Sequence, residues 1–255
     1  MLGCIVYHEN SSSKPYLRQE QLLGGTFLVL DLGRGAQGPF AARRAARAAK
    51  RMLTQGVHRA VFPVNFPHTA VFLRQGIAPV DPLPLRRALS ARYVHHKLAA
   101  LGLSVTQAVI AISGEYVSDE LAHTVVTLAR SYRYVMLSVP SGGEEYARML
   151  RQQYGISLLL NPSPDQLDRA DALLLFSPRS DLTRENPVLC TLYPGEERGS
   201  IPLQLATSLT EIIPENCCRD QLAAALHSMG ILSPRQLLGE EIPVETNSPR
   251  IHAIC

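Results

Sequence analysis

Between residues 108 and 178, four short apolar runs (AVIAIS, RYVMLSVP, ISLLLN and DALLLFSP) alternate with longer segments whose apolar residues recur at helical spacing. A run without polar/apolar alternation is apolar on both faces, and such a strand is stable only with helices packed above and below it. The stretch therefore predicts a βαβαβαβ arrangement. Strands at 109–112, 135–139, 157–160 and 173–176 are expected to be parallel neighbours joined by right-handed helical crossovers. Open sheets of this kind bind ligands in the crevice beyond the carboxyl ends of their strands. The expected site is then Ser113, Gly114, Ser118, Ser138, Ser141 and Ser177, which stand at the turns and helix starts that follow those strands.

Toward the amino end, residues 2–8 and 26–32 read as strands and are expected to pair antiparallel. The polar SSSKPYLRQEQLLGG between them reads as a loop or a short helical turn. Directly after the second strand, Gly33, Gly35 and Gly38 spell GxGxxG before the helix PFAARRAARAAKRMLTQG, with Pro39 at its first position. Glycines in that context let the backbone approach a phosphate held on the free N–H groups at the helix start. About 20 residues further on, where an acidic residue would hold a ribose hydroxyl, the chain carries Arg and Lys. Two readings stand: a nucleotide or anion sensor, or a turn without a ligand. The helix has Arg43, Arg44, Arg47, Lys50 and Arg51 on one side and Ala42, Ala45, Ala49, Met52 and Leu53 on the other, so its basic side is either a solvated face or an anion-binding one.

Three prolines in IAPVDPLP exclude a helix and mark a linker. The expected division is 1–82, an amino-terminal α/β domain; 83–239, a parallel-sheet domain with carboxyl-terminal helices; and 240–255, a tail. The helix at 85–103 should present Leu89, Tyr93, His96 and Ala100 as one stripe. Beyond Pro178 the signals are a strand at 188–193, a helix capped by Asn216, and a turn begun by Ser233 and Pro234.

Composition narrows the function classes. A net charge of +3 with no basic run argues against nucleic acid. No stretch reaches the roughly 18 apolar residues of a membrane span, and the start MLGCIVYHEN is too short for a signal peptide. Five cysteines, at 4, 190, 217, 218 and 255, have no CxxC spacing, so a metal site is not expected and a reducing cytoplasm is. Lysine occurs only at 14, 50 and 97, so amine chemistry has few candidates and arginine-based anion binding has many.

In the order of its parts, 108–178 resembles the NAD(P)-binding domain of the shikimate dehydrogenase and glutamyl-tRNA reductase type. PSGGEEYARMLRQQYG stands where those enzymes have a phosphate-recognising loop and helix, and RADALLLFSP stands where their strand enters the nicotinamide pocket. The implied class is α/β, a Rossmann-like parallel sheet domain with a smaller amino-terminal α/β domain. The resemblance implies NAD(P) as cofactor; the residues by themselves name none. The chain departs from that family at the first turn, which reads Ser113, Gly114, Glu115, Tyr116, Val117, Ser118 and puts a carboxylate where a pyrophosphate would sit. The leading expectation is a divergent or non-catalytic binding protein for a small-molecule or nucleotide ligand, in which Glu115 points at the free N–H groups of the following helix. The alternative is an NAD(P)-dependent oxidoreductase.

Overall fold

A computed structural model describes residues 1–7, 14–33, 40–203 and 217–233. The described residues form two five-stranded sheets. The second contains β6 (Val109–Ser113), β7 (Tyr134–Ser138), β8 (Leu159–Leu160), β9 (Ala172–Leu175) and β10 (Val188–Thr191) in the order β10-β9-β6-β7-β8. Every pairing in it is parallel. The order reverses between β6 and β9, which makes that junction the topological switch point of a Rossmann-like sheet. Ile110, Ala111 and Ile112 of β6 are fully buried, in accord with strands apolar on both faces.

The crossover helices α4 (Asp119–Ser131) and α5 (Gly143–Tyr154) form for local reasons. Ser118 caps α4 by accepting the Leu121 N–H at 3.2 Å, Asp119 and Glu120 complement the dipole, and Leu121, Thr124, Val125 and Leu128 make the buried stripe. α5 lies between two left-handed glycines, Gly142 and Gly155.

The first sheet contains β1 (Leu2–Val6), β2 (Tyr16–Leu22), β3 (Gly25–Asp31), β4 (Arg59–Val61) and β5 (Ala78–Pro79), in the order β2-β3-β1-β4-β5. β1 and β3 pair parallel, not antiparallel as their proximity suggested. The reason is β2, a polar segment read as loop or helical turn, which is a full edge strand antiparallel to β3. Leu23 and Gly24, with φ of 51° and 86°, form the two-residue turn between them, the conformation that matches strand twist. YLRQEQL has no apolar alternation, since only Leu22 of it is buried, and so does not read as a strand.

α1 (Ala41–Thr54) buries Ala41, Ala45, Ala48, Ala49 and Met52; Ala42 is exposed. α2 (Thr69–Arg74) precedes β5. α3 (Leu83–Ala100) starts within the proline-rich segment, because Pro82 and Pro84 occupy its cap and first turn, where a missing N–H costs nothing. Its buried stripe is Leu85, Leu89, Val94 and Leu98, while His96 and Ala100 are exposed. Leu85 and Leu89 belong to the core of the first sheet, and Val94 and Leu98 to the core of the second. α6 (Pro164–Asp168) opens on a Ser163 capping box.

α7 (Arg219–Ser228) brings Leu222 to Leu226 into the core of the first sheet, and Asp220 meets Arg86 of α3 at 2.7 Å. The expected Asn216 cap, the turn from Pro234 and the tail lie outside the described residues. Among the described residues no helix is long and apolar enough to cross a membrane.

Candidate functional site

Six of the expected site residues converge at the carboxyl end of the second sheet. β6 ends at Ser113, which is fully buried, and the Gly114 N–H donates to the Ser138 carbonyl at 3.1 Å, so the turns after β6 and β7 are tied together. The Ser141 N–H donates to the Glu115 carbonyl at 3.2 Å, and Tyr116 and Ser141 form a parallel bridge. Ser118 spends its hydroxyl as the cap of α4. Ser177 follows β9 and is half-buried.

Gly33 is elsewhere, at the end of β3 in the other sheet, with a φ of 49° and its N–H donated to Asp31 Oδ1 at 2.8 Å. That donor is spent on an internal carboxylate. Gly35, Gly38 and Pro39 lie outside the described residues.

The group that dominates the crevice is Arg179, from the loop after β9. Its Nη1 donates to Ser113 Oγ and to Ser138 Oγ, each at 3.1 Å, while Nε and Nη2 hold the two carboxylate oxygens of Asp181 at 2.7 Å each. The loop is braced from behind: the Arg184 guanidinium donates to the Arg179 carbonyl and pairs with Glu196 at 3.1 Å. The Thr183 N–H donates to Asp168 at 3.0 Å, and buried Asn186 donates its amide to the carbonyls of Leu167, Asp168 and Ala170. The hydrogen bond from Arg179 holds the Asp181 carboxyl at about 2, well below its ordinary 3.8.

Toward β9 the crevice stays open. A cavity of about 190 Å³ is lined by Arg87, Tyr116, Ser118, Phe176, Ser177 and Tyr193, with Glu115 at its wall. Arg87 reaches it from α3. Its Nε donates to the Leu192 carbonyl at 2.9 Å, its guanidinium lies over the Phe176 ring with the carbon 5.8 Å from the centroid, and Nη1 is 3.8 Å from Glu120. Three contacts thus hold a half-buried cation at a cavity bordered by hydroxyls.

Neither Arg87 nor Arg179 was marked by the sequence. Each is one arginine among many, and only the packing of α3 and of the β9 loop against the β6 turn singles it out.

No protein-family model matches the sequence, and no curated protein does. Solved structures that resemble the chain include a putative aspartate carbamoyltransferase from Trypanosoma cruzi, 15% identical over 90% of this chain and 80% of that one, with a TM-score of 0.31. An ornithine carbamoyltransferase from Pyrococcus furiosus is 15% identical over 84% and 69%, with a TM-score of 0.25. An L-tryptophan dehydrogenase from Nostoc punctiforme is 11% identical over 60% and 44%, with a TM-score of 0.27.

The expected relationship to shikimate dehydrogenase and glutamyl-tRNA reductase is corrected: the solved structures that resemble the chain include aspartate and ornithine carbamoyltransferases, at low TM-score, and NAD(P) binding has no support. The turn gives physical reasons for the same correction. The helix after β6 begins at Asp119, is capped by Ser118 and carries two carboxylates in its first turn, so its positive end is already answered. Glu115, expected to point at that helix start, is exposed and precedes it by four residues. The start of α5, in the place of the phosphate-recognising helix, carries Glu144 and Glu145 beside a shallow cavity of about 670 Å³. Between the two turns, Arg179 donates to Ser113 and Ser138 and pairs with Asp181, so these groups are already engaged with one another.

Proposed function

We propose that the protein is a non-catalytic binding protein that takes a small anionic metabolite in the crevice between β6 and β9, with Arg87 as its anchoring cation. The observation that carries this reading is the half-buried Arg87 guanidinium, fixed by the Leu192 carbonyl and the Phe176 ring at the wall of a cavity bordered by Ser118, Ser177 and Tyr193. About 190 Å³ is below the range of drug-sized sites, which supports a ligand of few atoms. Arg179 supports the same limit, since it fills the β6–β7 side of the crevice with a cation that brings its own counter-ion.

The hydrogen bonding of the crevice serines supports binding over chemistry. A nucleophilic serine needs a base to accept its proton. Ser113 and Ser138 instead accept from an arginine, and Ser118 accepts from the Leu121 N–H.

The test is thermal unfolding with a panel of small carboxylates and phosphate esters, followed by calorimetric titration of any that shifts the midpoint. A ligand at 100 times its dissociation constant adds about 2.7 kcal/mol to stability. The expected result is stabilisation by at least one small anion that is lost in Arg87→Ala and kept in Lys97→Ala. If no anion stabilises the protein, or if Arg87→Ala binds as the unmodified chain does, the reading fails.

A further inference from the structure

We infer that the basic side of α1, with Lys14 at the approach to β2, is a second and separate binding site whose ligand is a small phosphorylated molecule. Lys14, Arg44, Arg47 and Arg51 line a cavity of about 250 Å³ floored by Pro15 and Ala48. It lies against the first sheet and shares no residue with the crevice of the second, so the inference does not rest on the function proposed above.

Helical spacing makes this a designed row of cations. Residues 44, 47 and 51 are three and four apart, so their side chains stand above one another on one face, and a rise of 1.5 Å per residue spreads them over about 10 Å. Lys14 faces them from the chain segment that leads into the edge strand. Lys14, Arg47 and Arg51 are exposed, and no carboxylate is among the described residues that line the cavity.

The row is unfavourable to the helix that carries it. α1 has five basic and no acidic residues in its 14 positions. Cations three and four apart repel one another. Arg43 and Arg44 stand in the first turn, where the helix dipole disfavours positive charge, whereas α4, α5, α6 and α7 all place carboxylates there. A multiply charged anion among these groups removes the repulsion. Guanidinium forks match phosphate oxygens two at a time, and the Lys14 ammonium supplies a point charge from a second chain segment lining the same cavity. The apolar floor of Pro15 and Ala48 gives a small organic body somewhere to rest, and the cavity is too small for a long chain of phosphates to be needed.

The test is isothermal titration of the full chain at low salt with inorganic pyrophosphate, orthophosphate and glycerol phosphate, with a single-stranded oligonucleotide as a fourth arm. Saturable binding of a phosphorylated probe is expected, weakened at least about tenfold by Arg47→Ala, by Arg51→Ala and by Lys14→Ala, and falling as salt rises. Glycerol phosphate binding more tightly than pyrophosphate would assign the floor to an organic body, and the reverse would assign the site to a small inorganic phosphate. Arg87→Ala is expected to leave this binding intact, so failure here and failure of the crevice site give different patterns. The inference is overturned if no small phosphate binds saturably, if all three groove variants bind unchanged, or if only the oligonucleotide binds.

Discussion

Arg179 and Ser113 are 66 residues apart in the chain, yet the guanidinium Nη1 donates to the serine Oγ at 3.1 Å beneath the turns of the second sheet. The same nitrogen reaches Ser138, so one side chain ties the loop after β9 to the ends of β6 and β7. Arg179→Ala is expected to destabilise the protein by about 1–3 kcal/mol in urea unfolding, since two hydroxyls lose a charged donor and Asp181 loses its partner. The local effect can be read at Asp181 itself. Its folded carboxyl sits near 2 and its ordinary value is 3.8, so its share of stability is present above about pH 4 and is lost as pH falls toward 2. In a carbon-detected NMR titration the Asp181 carboxyl should titrate near 2 in the unmodified chain and return to the ordinary carboxylate range in Arg179→Ala. A carboxyl that titrates identically in both would show that the pair does not persist in solution.

Gly114 is required by a close approach, not by a backbone conformation. A β-carbon built on it would lie 2.6 Å from Leu121 Cδ1, and Leu121 is fully buried in the core beneath α4. Gly114→Ala is expected to cost about 1–3 kcal/mol, the usual range for overpacking. Because the clash has one named partner, the same substitution in a Leu121→Ala background should cost clearly less, and equal costs in the two backgrounds would refute the packing explanation.

Tyr146 fastens α5 to α4 by donating its hydroxyl to the Ala122 carbonyl at 2.8 Å. Burial, with a smaller contribution from Tyr154, raises its phenol from 10 to about 12. The neutral form is the one the fold favours, so this stabilisation is whole below about pH 10 and is lost as pH rises from there toward 12. Tyr146→Phe is expected to lower stability by about 1 kcal/mol at neutral pH and to flatten the alkaline fall of the unfolding curve. Urea titrations at pH 8 to 11 check both, and an alkaline fall as steep in the variant would place its origin in another group.

The sequence by itself determined the second sheet. Runs such as AVIAIS and DALLLF are apolar on both faces, and a chain has one common way to bury both faces of several consecutive strands, so β6, β7, β8 and β9 are parallel neighbours as expected. Ser113, Gly114, Ser118, Ser138, Ser141 and Ser177 lie together beyond this sheet, because the carboxyl ends of parallel strands meet at one edge. Only the tertiary structure decided the rest. β2 is held by hydrogen bonds to β3 and buries only Leu22, with Leu17 half-buried on the core, so no alternation in YLRQEQL marks it, and the parallel pairing of β1 with β3 depends on it. The oxidoreductase resemblance rested on the order of elements, which the second sheet keeps, while what fills its crevice depends on contacts that order does not encode. Arg87 and Arg179 acquire their roles from long-range packing: α3 passes beside β9, and β9 lies against β6, so arginines indistinguishable in the chain become two cations at one crevice.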